Sequence, residues 1–260
     1  MHPLLTIAVR AARAAGSSLL RNMENFDKLK ASAKGRNDFV SEADNKAEHA
    51  IIETIRKSYP DHAFLAEESG QQGDHEIVWI IDPLDGTTNY LHGLPHFCIS
   101  IAAQIKGKVE HGLIYDPLRD ELFTASRGGG AMLNSKRMRV SGKVQLEEAL
   151  LATAFPFHGI VSMEKYMAGF NSVYPNCSDI RRMGSAALDL AYVAAGRFDG
   201  YWEYGVKIWD IAAGALMVLE AGGLVTDMHG GTDFGGANGI VCANPKLFKP
   251  LVQALKGQVN

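Results

Sequence analysis

Apolar positions recur at helical spacing twice in the first part of the chain. Within the first twenty residues they return every three or four positions, which predicts an amphipathic helix over residues 3–24. The same spacing over residues 47–55 predicts a second helix. Ser41 and Asp44 stand before it at the spacing of a capping box, so this helix is predicted to begin near Ser41.

Shorter apolar runs predict strands. Residues 78–81 are continuously apolar and rich in β-branched side chains, which is typical of a strand buried on both faces. Pro83 has no N–H and a fixed φ, so this strand is predicted to end before it. The runs at residues 97–105 and 109–115 flank a Lys-Gly-Lys turn and predict a hairpin, which residues 121–125 extend.

The second part of the chain alternates both kinds of element. Strands are predicted over residues 150–155 and 198–204, and helices over residues 185–195 and 211–219. A polar segment at residues 141–148 separates two predicted halves, 1–145 and 146–260, of one compact unit. The alternation predicts layers of helix and sheet, in an α/β or α+β fold.

Composition narrows the range of functions. The chain has 260 residues, of which 47% are hydrophobic, and a formal net charge of −3. The basic stretch at residues 136–139 is short, so a nucleic-acid groove is not predicted. No uninterrupted apolar segment resembles a signal peptide or a membrane span, so a cytoplasmic location is the default expectation. Cys98, Cys177 and Cys242 are widely spaced among apolar neighbours and are expected to be reduced.

Two carboxylates directly follow the strand predicted at residues 78–81. Asp82 and Asp85 would leave it close together, in apolar surroundings where uncompensated charge is costly. A cation is therefore the expected partner. Gly86 and Thr87 come next and offer backbone N–H groups of the kind that hold phosphate. A simple β-turn with side-chain hydrogen bonds is the alternative interpretation of these residues alone.

Two further carboxylates occupy comparable positions. Glu67 follows a short apolar run, and Asp210 begins an apolar helix, where an N-cap role alone would also explain it. With Asp82 and Asp85 they form a set of oxygen ligands without cysteine and without histidines at zinc spacing. Such a set favours Mg²⁺ or Mn²⁺ over Zn²⁺.

These motifs resemble a known family, the inositol monophosphatases. The stretches that carry the resemblance are Glu67-Glu68-Ser69, Asp82-Pro83-Leu84-Asp85-Gly86-Thr87-Thr88-Asn89 and Trp209-Asp210-Ile211-Ala212-Ala213-Gly214. Residues 34–41 and 181–190 resemble its bacterial SuhB branch in particular. The resemblance spans nearly the whole chain. It implies an α+β fold, a layered α/β/α/β/α sandwich, and a lithium-sensitive, Mg²⁺-dependent phosphatase that forms a homodimer.

The resemblance also implies a role for each acidic residue. Glu67, Asp82 and the Leu84 carbonyl would hold one metal ion, and Asp82, Asp85 and Asp210 would hold a second. Glu67 would also reach a third ion. The expected cofactor is thus two or three Mg²⁺ per site, with Mn²⁺ as a possible replacement.

Further roles follow by the same comparison. Thr87, assisted by Asp44, would orient the attacking water, and the N–H groups of Gly86 and Thr87 would bind phosphate. The residues that resemble inositol contacts are Asp85, Gly184, Ser185, Ala186, Glu203 and Asp210. Asp44 has a helix-capping role as its alternative, and Glu203 could be the outward residue of a strand. Gly93 stands where many relatives carry a basic residue, so no contact is transferred to it.

The expected function is the release of phosphate from myo-inositol monophosphates by metal-activated water. A phosphatase for other sugar phosphates or nucleotide phosphates is the first alternative, and a bisphosphate ranks lower because no basic cluster is evident. The second alternative is a protein-binding role in bacterial transcription antitermination with Nus factors, which could coexist with catalysis. Arg181 and Arg182 are the candidate surface for that role.

Overall fold

A computed structural model describes residues 1–23, 33–156 and 161–256, with the backbone alone for residues 33–41. Seven α-helices lie in this part of the chain: α1 (Pro3–Met23), α2 (Ala33–Arg56), α3 (Thr87–Leu91), α4 (Met163–Val173), α5 (Ala186–Ala194), α6 (Ile208–Glu220) and α7 (Pro245–Lys256). The three cysteines are free thiols, as expected.

Thirteen strands in the described residues form two sheets. They are β1 (Ala63–Ala66), β2 (Gly70–Gln72), β3 (Ile77–Asp85), β4 (Cys98–Ile105), β5 (Lys108–Asp116), β6 (Glu121–Ser126), β7 (Gly130–Leu133), β8 (Lys136–Arg137), β9 (Leu150–Thr153), β10 (Asp179–Arg181), β11 (Gly200–Glu203), β12 (Leu224–Thr226) and β13 (Ile240–Ala243). The first sheet has the order β2-β1-β3-β4-β5-β6-β7-β8, and the second has the order β10-β9-β11-β13-β12.

Strand direction differs within each sheet. In the first sheet only β1 and β3 run parallel, and every other neighbouring pair is antiparallel. In the second sheet β9 is parallel to both β10 and β11, whereas β13 is antiparallel to its two neighbours. The parallel pairs direct the carboxyl ends of β1 and β3 toward one edge and those of β9 and β11 toward another.

Three apolar clusters hold five layers together. Helices α1 and α2 cover one face of the first sheet, with Trp79 and Ile81 of β3 in that cluster. Ile80 lies on the opposite face, where α5 and α6 pack between the two sheets. Helices α4 and α7 cover the outer face of the second sheet. The layers therefore follow the order α/β/α/β/α, which confirms the expected α+β sandwich.

The same alternation confirms the predicted burial on both faces for residues 79–81, whereas Val78 is only partly buried. The predicted hairpin is present as β4 and β5, and β6 extends it. Two boundaries were predicted incorrectly. Strand β3 continues through Pro83 to Asp85, with a register shift between Asp82 and Asp85 that accommodates the proline. Helix α2 begins at Ala33 instead of near residue 41, so Asp44 lies inside the helix and does not cap it.

Candidate active site

One cavity of about 590 Å³ lies between the end of β3 and the starts of α5 and α6. It is lined by Glu67, Asp82, Leu84, Asp85, Gly86, Thr87, Thr88, Ala154, Arg182, Gly184, Ser185, Ala186, Glu203, Gly205, Lys207, Trp209 and Asp210. Every residue of the predicted site except Asp44 is among them. A larger cavity of about 760 Å³ beside residues 141–150 contains none of these residues, so chemistry identifies the site better than size does.

The register shift in β3 explains how two carboxylates reach the same cavity. Asp82 pairs with Ser100, whereas Asp85 pairs with Cys98 after the shift. In a regular strand, side chains three positions apart point to opposite faces, because the period is two. The irregularity at Pro83 removes that restriction. The Asp82 carboxylate then accepts a hydrogen bond from the Leu84 N–H at 3.0 Å.

Glu67 reaches the site because β1 runs parallel to β3. Its N–H donates to the Ile81 carbonyl at 3.1 Å, which continues the ladder beyond Ala66. The turn after Glu67 is held by Glu48 of α2, which was not predicted from the sequence. The Glu48 carboxylate accepts the N–H groups of Glu68 and Ser69 at 2.9 and 3.0 Å. Glu48 is buried one helical turn after Asp44, and that spacing of two acids was the available indication.

Helix starts hold the other two carboxylates. Asp85 accepts hydrogen bonds at 2.7 Å from the Ser185 hydroxyl and from the Ala187 N–H, where α5 begins. Asp210 is the third residue of α6 and accepts the Lys207 N–H at 2.7 Å. The N-cap interpretation of Asp210 is therefore wrong, although the residue does stabilise the helix start.

Burial disfavours the charged form of all four carboxylates, and repulsion by neighbouring acids adds to it at Glu67, Asp82 and Asp210. Burial is the largest cause in each case: it raises the pKa of Asp85 to about 6 and the pKa of Asp210 to about 8. Burial, followed by the charge of Asp85, raises the pKa of Asp82 well above its usual range. Burial raises the pKa of Glu67 as well. A cation in this cavity would relieve this unfavourable concentration of negative charge.

The donor set suits a hard cation such as Mg²⁺, because every candidate ligand atom is an oxygen. In the described ranges, however, no three acidic, histidine or cysteine side chains converge as a ready ligand set. The carboxylates engage protein groups instead. Glu67 is hydrogen bonded to Asp82, and one oxygen of Asp85 is occupied by α5. Side-chain rotations would be needed to bring these oxygens around an ion.

The side of the cavity predicted to bind phosphate contains Gly86 and Thr87. Gly86 has a φ of 100°, and α3 begins immediately after it. The Thr87 hydroxyl donates to the Leu84 carbonyl at 3.0 Å. Asp44 is buried outside the cavity lining, and within the described residues no hydrogen bond connects it to Thr87. Burial, followed by the charges of nearby glutamates, raises the pKa of Asp44 to about 8.

The opposite wall contains the predicted substrate contacts. Glu203 is 6% exposed and accepts a hydrogen bond from the Tyr201 hydroxyl, so its outward-facing alternative is wrong. Burial raises the pKa of Glu203 to about 7. Arg182 and Lys207 also line the cavity, and neither was predicted as a site residue from the sequence. Their nearness in sequence to Gly184 and Asp210 was the only indication.

Comparison with known proteins shows the family of this chain. The model of the inositol monophosphatase family matches residues 1–259. The chain belongs to the inositol monophosphatase family. A curated relative in the family, the Nus factor SuhB of Pasteurella multocida (strain Pm70), is 52% identical over 258 residues, which cover 98% of this chain and 97% of the relative.

Solved structures of the family have the same fold. The extragenic suppressor protein SuhB from Bartonella henselae is 47% identical with a TM-score of 0.91, covering 98% of this chain and 99% of that one. An inositol monophosphatase from Anabaena (Nostoc) sp. PCC 7120 is 38% identical with a TM-score of 0.84, covering 98% and 96%. None of the described helices combines the length and apolar character that crossing a bilayer requires.

Proposed function

We propose that this protein hydrolyses myo-inositol monophosphates in a Mg²⁺-dependent reaction. One observation carries the proposal: four carboxylates from three separate segments line a single cavity together with Gly86 and Thr87. Asp82 and Asp85 come from β3, Glu67 follows β1, and Asp210 lies in α6. The opposite wall presents polar groups suited to ring hydroxyls. Membership in the inositol monophosphatase family supports this reaction class.

Different residues would bind the metal ion, orient the attacking water and bind the phosphate ester. The four carboxylates and the Leu84 carbonyl would hold Mg²⁺, which lowers the pKa of bound water and neutralises charge on the leaving oxygen. The Thr87 hydroxyl donates its hydrogen to the Leu84 carbonyl, so its free lone pairs can accept a hydrogen bond from the attacking water. The N–H groups of Gly86 and Thr87 would bind the phosphate oxygens.

The decisive experiment measures phosphate release from inositol 1-phosphate with and without Mg²⁺, for the wild type and for Asp82→Asn. We expect EDTA to abolish turnover and Asp82→Asn to lower kcat/KM by about 10³-fold. Asp74→Asn is the matched control, since Asp74 is exposed and outside the cavity. Undiminished turnover without Mg²⁺ would contradict the proposal. Inhibition by Li⁺ is expected in the same assay.

The substrate range is a separate question. Arg182 and Lys207 line the cavity and give it two cations, which favours testing esters with a second anionic group. A panel would compare kcat/KM for inositol 1-phosphate, a sugar bisphosphate, glycerol 2-phosphate and a nucleoside 3′-phosphate. We expect inositol 1-phosphate to rank first. A higher value for the bisphosphate would reassign the substrate while leaving the metal chemistry intact.

A protein-binding role is proposed as a second function, because relatives about half identical to this chain are named Nus factors. Arg181 is exposed and pairs with Asp179, whereas Arg182 lies at the cavity, so Arg181 is the better surface candidate. Pull-down from bacterial extract, with Nus factors identified by mass spectrometry, tests this role. We expect wild type and Asp82→Asn to capture them equally, and absence of Nus factors from both would remove the idea.

A further inference from the structure

Asn89 connects two walls of the cavity that are distant in sequence. Its side chain is buried in α3, two residues after Thr87. The Asn89 Nδ2 group donates to the His96 carbonyl and to the Met183 carbonyl, both at 2.8 Å, and lies 3.5 Å from the Gly184 carbonyl. Carbonyl oxygens only accept hydrogen bonds, so these partners require the NH₂ group of Asn89 on this side.

The contact with Met183 determines how the next peptide is oriented. The Met183 carbonyl and the Gly184 N–H belong to one planar peptide, and the described chain contains no cis bond. In a trans peptide these two groups point in opposite directions. Asn89 therefore directs the Gly184 N–H away from itself. Among the described residues this N–H has no acceptor, and Gly184 lines the cavity.

The backbone at Gly184 needs such a restraint. Its φ of +86° is a conformation that other residues rarely adopt, and a Cβ there would lie 2.8 Å from the Arg182 Nη1 atom. Ser185 and Ala187 anchor the following residues to Asp85. Asn89 anchors the preceding peptide from the same Asp82–Asn89 motif, so the segment is held at two points.

We infer that Asn89 is a positioning residue that orients the Gly184 peptide so that its free N–H faces an oxygen of the substrate. The inference rests on the proposed function, since it concerns how that site recognises the alcohol part of the ester. The amide makes no contact with the carboxylates of the cavity. Its loss should therefore weaken substrate binding much more than it weakens Mg²⁺ binding.

The test compares Asn89→Ala and Asn89→Ser with Asn244→Ala. Asn244 is also a buried asparagine, and its Nδ2 group donates to the Ser141 hydroxyl and the Lys143 carbonyl. Neither Asn244 nor these partners line the active-site cavity. We expect Asn89→Ala to raise KM for inositol 1-phosphate about tenfold, equivalent to ~1.4 kcal/mol. The kcat and the half-saturating Mg²⁺ concentration should stay within about twofold. Asn89→Ser retains one donor, so its KM should lie between the KM of the wild type and that of Asn89→Ala. This variant keeps the test valid if Asn89→Ala does not fold.

A binding measurement separates this inference from the proposed function. We expect Mg²⁺ with inorganic phosphate to raise the Tm of the wild type and of the Asn89 variants alike, while the additional shift from myo-inositol disappears in Asn89→Ala. For the control Asn244→Ala we expect a lower Tm and an unchanged KM. The same result for the Asn89 variants would overturn the positioning role. A wild type without turnover and without these Tm shifts would overturn the proposed function itself.

Discussion

The Ser185 hydroxyl donates a hydrogen bond to the Asp85 carboxylate at 2.7 Å, although the two residues lie 100 positions apart. Ser185 is also the N-cap of α5, where its oxygen accepts the Leu188 N–H. One hydroxyl thus starts a helix and orients a carboxylate of the cavity. The contact lowers the pKa of Asp85 against the stronger upward effect of burial.

Substitution of Ser185 should affect both functions of its hydroxyl. We expect Ser185→Ala to lose about 1 kcal/mol of stability as a lost cap, which lowers Tm by about 2–4 °C. Because Asp85 becomes harder to ionise, the half-saturating Mg²⁺ concentration should rise about tenfold. Ser162→Ala removes the N-cap of α4 and is the matched control, with a lower Tm but unchanged Mg²⁺ dependence. Equal Mg²⁺ dependence in both variants would contradict the prediction.

Stability of the metal-free protein should decrease as pH rises. The pKa values of Asp85 and Asp210 are raised by burial to about 6 and about 8, above the value near 4 expected in the unfolded chain. Between pH 4 and pH 8 the folded protein therefore holds protons that the unfolded chain has released, and folding becomes less favourable. In EDTA, Tm should fall by several degrees from pH 5 to pH 9.

Mg²⁺ should oppose this loss of stability with rising pH, because it binds the ionised carboxylates of the folded state alone. The Tm difference between Mg²⁺ and EDTA should widen with pH, and Asp82→Asn should flatten the slope in EDTA. Thermal melts at four or five pH values provide the measurement. A flat or rising Tm in EDTA would show that folding does not raise the pKa values of these carboxylates.

Gly86 should tolerate no side chain. Its φ of +100° disfavours other residues, and a Cβ would lie 3.0 Å from the His96 oxygen and 3.1 Å from Phe97 Cα. We expect Gly86→Ala to shift the chain at Thr87 and lower kcat/KM at least about tenfold. Gly93 has a φ of +70° with open space around it. Gly93→Ala should cost about 1–2 kcal/mol in stability and leave kcat/KM unchanged, so similar activities in the two variants would refute the steric argument.

Glu48 should act on the proposed metal site through the turn after Glu67. Glu48→Gln leaves one acceptor oxygen for the N–H groups of Glu68 and Ser69. Its NH₂ group would then face one of these two N–H groups, and both are donors. We expect the half-saturating Mg²⁺ concentration to rise by about 10-fold, as for other residues that support a metal ligand. Glu53→Gln, on the exposed side of the same helix, should change nothing. A response to Glu48→Gln no greater than that control would remove Glu48 from the site.

Local patterns explain which elements were predictable. The helical spacing in α1 and the hairpin of β4 and β5 depend on neighbouring residues alone, so periodicity and turn residues sufficed. The ends of helices and strands depend on more than the local pattern. Helix α2 begins earlier than its apolar spacing suggested, and β3 continues past Pro83 because β4 pairs with it on both sides of the irregularity.

The sequence by itself determined the acidic character of the cavity: the carboxylates of Glu67, Asp82, Asp85 and Asp210, each beside a predicted strand end or helix start. Tertiary structure alone decided which neighbours act on them. Glu48, Asn89 and Arg182 join the site through contacts across distant segments. The physical reason is that motif spacing describes a few consecutive residues, whereas these contacts arise only when sheets and helices pack and bring separate segments within hydrogen-bond distance.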